Sequence, residues 1–216
     1  MSKISEKSLM YSIGCGDMRA MKHLIDKYLD LVSRTSFRIL CDRKDSDVVT
    51  REVFIHAWDH SEAFDGKMSL ENWILHHTCR YARLRIVRRR IMYIFGERPD
   101  LYVTTAPKTQ DYDDYVTKQA WELYCRISVS FTITQRVLFA LCVIEGVSEA
   151  EASEITGVSV RRISSLLADA HLKFYDELRD YGKQDEYMSY VSFLRKIRDS
   201  LAEHDQLKKE IMASIR

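Results

Sequence analysis

Residues 149–178 read EAEASEITGVSVRRISSLLADAHLKFYDEL. A short helix is predicted from Glu149 to Ile155, stopped at Gly157. Ser159 stands where an N-cap belongs, and a second helix follows through Ile163, Leu166, Leu167, Ala170, Leu172, Phe174 and Leu178. Arg161 and Arg162 fall in its first turn. Helix, glycine turn and serine-capped helix is the helix-turn-helix pattern, whose second helix enters a major groove N-terminus first. The same pattern also serves two helices packed for stability alone. Upstream, Val137, Leu138, Leu141 and Ile144 mark a further helix from about Thr134 to Glu145, ended by Gly146.

The first half of the chain is also helical in period. Met18, Met21, Leu24, Ile25, Tyr28, Leu31 and Val32 recur at i, i+3, i+4 behind Asp17, a capping residue. A break falls at Cys41-Asp42-Arg43-Lys44. A second helix is expected from about Asp45 to Ala63, with Val49, Val53, Ala57, Trp58 and Phe64 inward. A polar loop, Asp65-Gly66-Lys67-Met68, leads to Ser69, the expected cap of a long helix from Leu70 to Phe95. Trp73, Ile74, His77, Tyr81, Leu84, Ile91, Met92 and Phe95 share one face of that helix. Six arginines (Arg80, Arg83, Arg85, Arg88, Arg89, Arg90) lie along it, with no acidic residue from Asn72 to Gly96. A charge run of this kind is often a solvated face. Here no carboxylate stands at i±4 to neutralise it, which favours a polyanionic partner.

Composition narrows the classes. Of 216 residues, 46% are hydrophobic and 30% charged, as in ordinary globular chains. Only 7 Gly and 2 Pro are present, where average usage gives roughly 15 and 11. Sheet-rich folds need more turn residues, so an all-α fold of long helices is expected. The net charge of +1 hides an asymmetry: residues 1–95 carry 17 Lys+Arg against 12 Asp+Glu, whereas residues 119–180 carry 6 against 9. Both prolines, Pro99 and Pro107, fall in residues 96–118, which read as an extended linker between two small helical domains, 1–95 and 119–180. Residues 181–216 form an amphipathic extension, with Tyr187, Met188, Val191, Leu194, Ile197, Leu201 and Ile211 at helical spacing. It either packs on the second domain or docks a partner.

The longest apolar run, Val137 to Ile144, is eight residues, far below the ~20 of a membrane span. No membrane insertion is expected, and the first residues carry no export signal. The five cysteines, Cys15, Cys41, Cys79, Cys125 and Cys142, contain no CxxC pair and read as buried reduced thiols of a cytoplasmic protein. His56 and His60 stand four apart, a spacing that can ligate a metal, but HExxH is absent, and so are a Walker loop, GxGxxG and GxSxG. No cofactor, metal or catalytic residue is assigned, and the chain reads as a non-enzyme.

Two sets of motifs, in order and in register, resemble the extracytoplasmic-function (ECF) RNA polymerase sigma factors of the sigma-70 family, over roughly residues 17–180. Asp45-Ser46-Asp47-Val48-Val49-Thr50-Arg51-Glu52-Val53-Phe54 with Ala57-Trp58 matches D-A-E-D-V-V-Q-E-x-F…A-W of region two. Phe64-Asp65, Ser69-Leu70 and Trp73-Ile74 match F-D…S-F…W-L. In the second half, Thr132 to Arg136 is similar to P-x-x-Q-R, Ile144 to Ser148 to V-E-G-L-S, and Glu154 to Val160 to E-I-L-G-I-S-V.

The resemblance implies a promoter-specificity subunit in the bacterial cytoplasm. Region two would dock on a clamp helix pair of core RNA polymerase (β and β′ subunits) through Asp47, Arg51, Glu52 and Ile55. It would recognise and melt the −10 element of promoter DNA with Phe64, Asp65, Lys67, Ser69, Asn72, Trp73, Arg80, Arg83, Arg85, Arg88 and Arg89. Region four would read the −35 element with Ser159, Arg161, Arg162 and Ser165. An anti-sigma factor or a recruiting partner is a further expected contact. The chain departs from the family at Arg51, at Arg80 and Leu84 (usually Asn and Asp), and at Ser164, Leu166 and Asp169, where Lys and Arg are common. The thinned recognition helix and the C-terminal extension raise an alternative. A sigma-like factor would be delivered to DNA by a partner, an activator or a guide-RNA-directed, nuclease-dead CRISPR effector. A helical metal-binding enzyme built on His56 and His60 is the third alternative.

Overall fold

Capping and periodicity fix most helix ends in this computed structural model, which describes residues 5–94, 112–181, 190–199 and 205–215. The fold is all-α, with no strand among the described residues. The chain forms two compact units, Met1–Val87 with Ala202–Arg216, and Arg88–Leu201.

In the first unit, α1 (Glu6–Gly14) begins at Ser5, whose side chain accepts from the Ser8 amide. The sequence reading had no helix there. α2 (Met18–Leu40) starts at Asp17, whose carboxylate accepts from the Arg19 and Ala20 amides, as the capping residue predicts. It ends at Cys41, which adopts the left-handed conformation (φ 54°). Asp42 then caps α3 (Arg43–Asp59), so α3 starts two residues before Asp45 and stops four before Ala63. Ser61–Ala63 is a separate 3-10 turn. α4 (Leu70–Ile94) is closed at its start by Ser69, which accepts from the Asn72 amide at 3.1 Å, and by Glu6 of α1, which accepts from the Leu70 amide at 2.9 Å.

The core of this unit holds Met21, Leu24, Ile25, Val32, Val49, Val53, Phe54, Ala57 and Ile74, each fully buried. Trp58 was expected inward but is half-buried, and Phe54 is the ring α3 buries. At 100° per residue, Phe54 lies closer than Trp58 to the arc set by Val49, Val53 and Ala57. The face assigned to α4 also needs correction. Trp73 and His77 are buried and Tyr81 is half-buried, but Leu84, Ile91 and Met92 are exposed. Past Tyr81 the helix buries Ala82 and Ile86, on the side away from Leu84. The apolar stripe therefore emerges into solvent.

In the second unit, α5 (Tyr112–Val129) begins inside the stretch read as linker. A helix starting at Tyr112 shortens any connection, and residues 95–111 with Pro99, Pro107 and Asp111 lie outside the described residues. α6 (Ile133–Leu138) is set by a capping box between Thr132 and Gln135 and runs into a π-helical turn, Phe139–Ile144. α7 (Glu149–Thr156) has a second capping box, Ser148 with Glu151, and ends at left-handed Gly157. α8 (Val160–Tyr181) follows. α9 (Tyr190–Asp199) packs on α5 and the π-helical turn. Its Arg198 donates to the carbonyls of Ile144 (2.8 Å) and Val143 (3.3 Å), closing the end of that turn. An aromatic chain runs through the core, from Trp121 and Tyr124 through Phe139 and Phe174 to Phe193, with successive centroids 5.2–6.4 Å apart.

The extension splits between the units. α9 belongs to the second, through buried Phe193 and Ile197. α10 (Asp205–Ser214) packs on α2 and α3 of the first. Tyr187, Met188 and Leu201 lie outside the described residues. Only Cys79 and Cys125 are fully buried; Cys15 is exposed, and Cys41 and Cys142 are half-buried. Burial pushes the Cys142 thiol up to about 11.

Candidate functional site

The outer face of α3 carries Asp47, Arg51, Glu52 and Ile55, all half-buried above Val49 and Val53. Asp47 pairs with Arg43 one turn earlier at 3.4 Å. Arg51 pairs with Glu210 of α10 at 2.5 Å. This long-range partner, 159 residues away, left no signal in the sequence.

The loop before α4 is held at both ends. Phe64 is buried, edge-on to buried Trp73 at 5.9 Å. Phe64 and Trp73, both among the residues expected at the −10 element, thus pack on each other with little ring surface exposed. Asp65 accepts from the Lys67 amide at 2.9 Å and pairs with its ammonium at 2.5 Å. These bonds hold the Asp65 carboxyl below its ordinary range. Between them Gly66 has φ +73°, a conformation glycine supplies without strain. Asp65, Lys67 and Ser69 are exposed and Asn72 is half-buried.

The arginines of α4 divide. Arg80, Arg88 and Arg90 are exposed; Arg83 and Arg89 are half-buried. Arg85 is tied across to buried Asp45 by Nε (2.8 Å) and Nη2 (2.6 Å). It compensates a buried carboxylate on another helix, a partner outside the i±4 positions of α4. Arg80 and Arg88 flank the emergent apolar side chain of Leu84 on the helix.

Histidines gather between the end of α3 and α4. His56 stacks on His60 at 4.6 Å and lies 4.1 Å from His77, which meets Trp73 at 4.4 Å and His76 at 5.1 Å. Burial and the neighbouring His56, His76 and Arg80 push His77 down to about 3. Burial lowers His56 as well. Among the described residues, no group of three or more His, Cys, Asp or Glu is arranged to hold a metal ion. The cluster is packed ring on ring.

In the second unit, α7, the Gly157 turn and α8 form the helix-turn-helix around Leu138, Ala152, Ile163 and Leu167. The Ser159 carbonyl accepts from the Arg162 and Ile163 amides at 2.9 Å, which starts α8. Ser159, Arg161, Arg162 and Ser165 are exposed together at its N-terminal end. Ser164 is tied to Glu149 of α7 and to the Val160 carbonyl. Asp169 accepts from Gln135 at 2.5 Å and pairs with Lys173 at 3.2 Å. The Gln135 amide first, then Lys173, holds its carboxyl low.

An arginine-bearing helix, α4, and a helix-turn-helix, α7–α8, are thus both in place. The chain is similar to a solved structure of CnrH in complex with the cytosolic domain of CnrY, with a TM-score of 0.59 and 18% identity. The match covers 81% of this chain and 97% of that one. CnrH is an ECF sigma factor. The fold is that of an ECF sigma factor. The match spans nearly all of CnrH and leaves about a fifth of this chain outside it. No protein-family model matches the chain, and no curated protein matches it. Among the described residues, no helix is long and apolar enough to cross a membrane.

Proposed function

We propose that the chain is an ECF-type sigma factor. In this reading it is a non-enzymatic, removable subunit of bacterial RNA polymerase in the cytoplasm. The observation that carries the proposal is the ECF sigma fold, with an exposed Arg161–Arg162–Ser165 end on the second helix of its helix-turn-helix. In this reading Asp47, Arg51, Glu52 and Ile55 of α3 meet the β and β′ subunits. The exposed loop Asp65–Ser69 contacts extruded bases of the −10 element. Arg80 and Arg88, with Arg83 and Arg89 at the margins, hold its backbone phosphates. Ser159, Arg161, Arg162 and Ser165 face the −35 element. The complex of CnrH with CnrY supports a further contact, a protein partner of the anti-sigma kind. Run-off transcription tests the reading. Core polymerase with this chain should initiate from a discrete site on native DNA, and no initiation above core polymerase alone overturns it.

One observation favours a second reading, delivery to DNA by a partner. On α8, Ser164 is held by Glu149, and Asp169 by Gln135 and Lys173. Those positions bring carboxylates where family members often carry cations. Recruitment by an activator or a guide-RNA-directed, nuclease-dead CRISPR effector would offset weak −35 reading. Transcription that appears only when such a partner is added, with core binding intact, distinguishes it.

A further inference from the structure

α10 shows what the outer face of α2 and α3 accepts. α10 packs on those helices, and its Leu207 and Ile211, with Ile215 in the turn just after it, are spaced four apart and all buried. On one side Glu210 pairs with Arg51 of α3, and Gln206 donates to the Glu210 carboxylate at 3.2 Å. On the other side Lys208 pairs with Asp26 of α2. A ten-residue helix has too few internal hydrogen bonds to persist alone in water, so α10 is ordered by this packing. Both ion pairs are part-exposed, which makes them readily exchanged. Arg51 stands in the middle of the α3 stripe assigned to polymerase.

We propose that the α2–α3 face is a receptor for an amphipathic helix, occupied in cis by α10, and that α10 must leave before core RNA polymerase docks there. This rests on the sigma-factor reading of α3. The fitting occupant has aliphatic side chains at i, i+4 and i+8, a carboxylate toward Arg51 and a cation toward Asp26. α10 supplies all of these, and a polymerase helix that displaces it must compete for the same groups.

The test measures the affinity of the full-length protein for core RNA polymerase. Ile211→Asp places a charge in the apolar seam and should tighten binding about tenfold. Lys208→Glu, which breaks a part-exposed ion pair and leaves the apolar seam unchanged, should tighten it about two- to threefold. Adding Asp26→Lys re-forms the pair with its signs exchanged and should abolish the gain seen in the Lys208→Glu protein. Thermal melts show whether each variant is folded. If Ile211→Asp is unfolded, the Lys208→Glu pair decides. Wild-type or weaker affinity in the folded Ile211→Asp and Lys208→Glu single variants overturns the proposal while leaving the sigma-factor reading standing. Failure of every protein, wild type included, to bind polymerase overturns that reading and this one with it.

Discussion

Cys41 holds φ 54° at the end of α2, its amide donating to the Phe37 carbonyl at 2.8 Å. A side chain with a Cβ is strained there, and glycine is not. Cys41→Gly should therefore stabilise the first unit by about 0.5–1 kcal/mol in urea titration, despite the added freedom of the unfolded chain. His77 acts in the opposite sense as pH falls. Its folded value of about 3 lies below the ordinary 6.5, so the unfolded chain binds a proton that the folded one refuses. Stability should decline as pH drops through 6.5, by about 1–2 kcal/mol at pH 5. His77→Leu should flatten that decline, and an unchanged slope would show that the ring is not kept neutral. Arg85 and Arg80, five residues apart on one helix, should part company on substitution. Arg85→Ala leaves the Asp45 carboxylate buried without its guanidinium and should cost about 2 kcal/mol of stability. Arg80→Ala should leave the melting temperature alone and weaken DNA binding.

At the level of elements, helix starts were the most legible feature. Asp17 and Ser69 announce α2 and α4 because a short polar side chain before an apolar period has one economical use, accepting orphan amides. α5 was hidden for the converse reason. Its first turns carry Asp113 and Asp114 and follow two prolines, so the local signal is that of a loop, and the apolar positions that hold it (Trp121, Tyr124) come later. The exposed end of the α8 site was readable from Ser159, Arg161 and Arg162. The bonds that tie Ser164 and Asp169 were not, because Glu149 lies 15 residues from Ser164 and Gln135 lies 34 from Asp169. Periodicity also says that a helix has an apolar face and nothing of what that face meets. Thus α9 and α10 look alike in sequence and serve different units. Phe193 closes the aromatic chain at Phe174, 5.2 Å away. Phe193→Ala should cost the second unit about 3–4 kcal/mol, lowering its melting transition and not that of the first. A fragment ending at residue 180 lacks this ring, so binding measurements on the second unit need residues 88–201.

For the whole molecule, salt dependence separates a nucleic-acid surface from a merely solvated one. If Arg80 and Arg88 each neutralise a phosphate, replacing both by Ala should reduce the slope of log affinity against log salt by roughly 2. It should do so about equally on all promoter sequences. Changes in the Asp65–Ser69 loop should instead alter sequence preference at constant slope. An unchanged slope in the double variant would assign the arginines to solvation alone.

The first unit is also discontinuous along the chain: its last helix follows the whole of the second unit. A ribosome releases the polypeptide from its N-terminus. At roughly 5–20 residues per second, the 114 residues from 88 to 201 take about 6–23 s to synthesise. During that interval α1 to α4 can fold, and the seam that Leu207, Ile211 and Ile215 later fill is bare. A newborn chain therefore passes through a stage with an uncovered apolar strip that the finished protein does not show. That strip is open to chaperones or to early association until residues 202–216 have been made and have closed it.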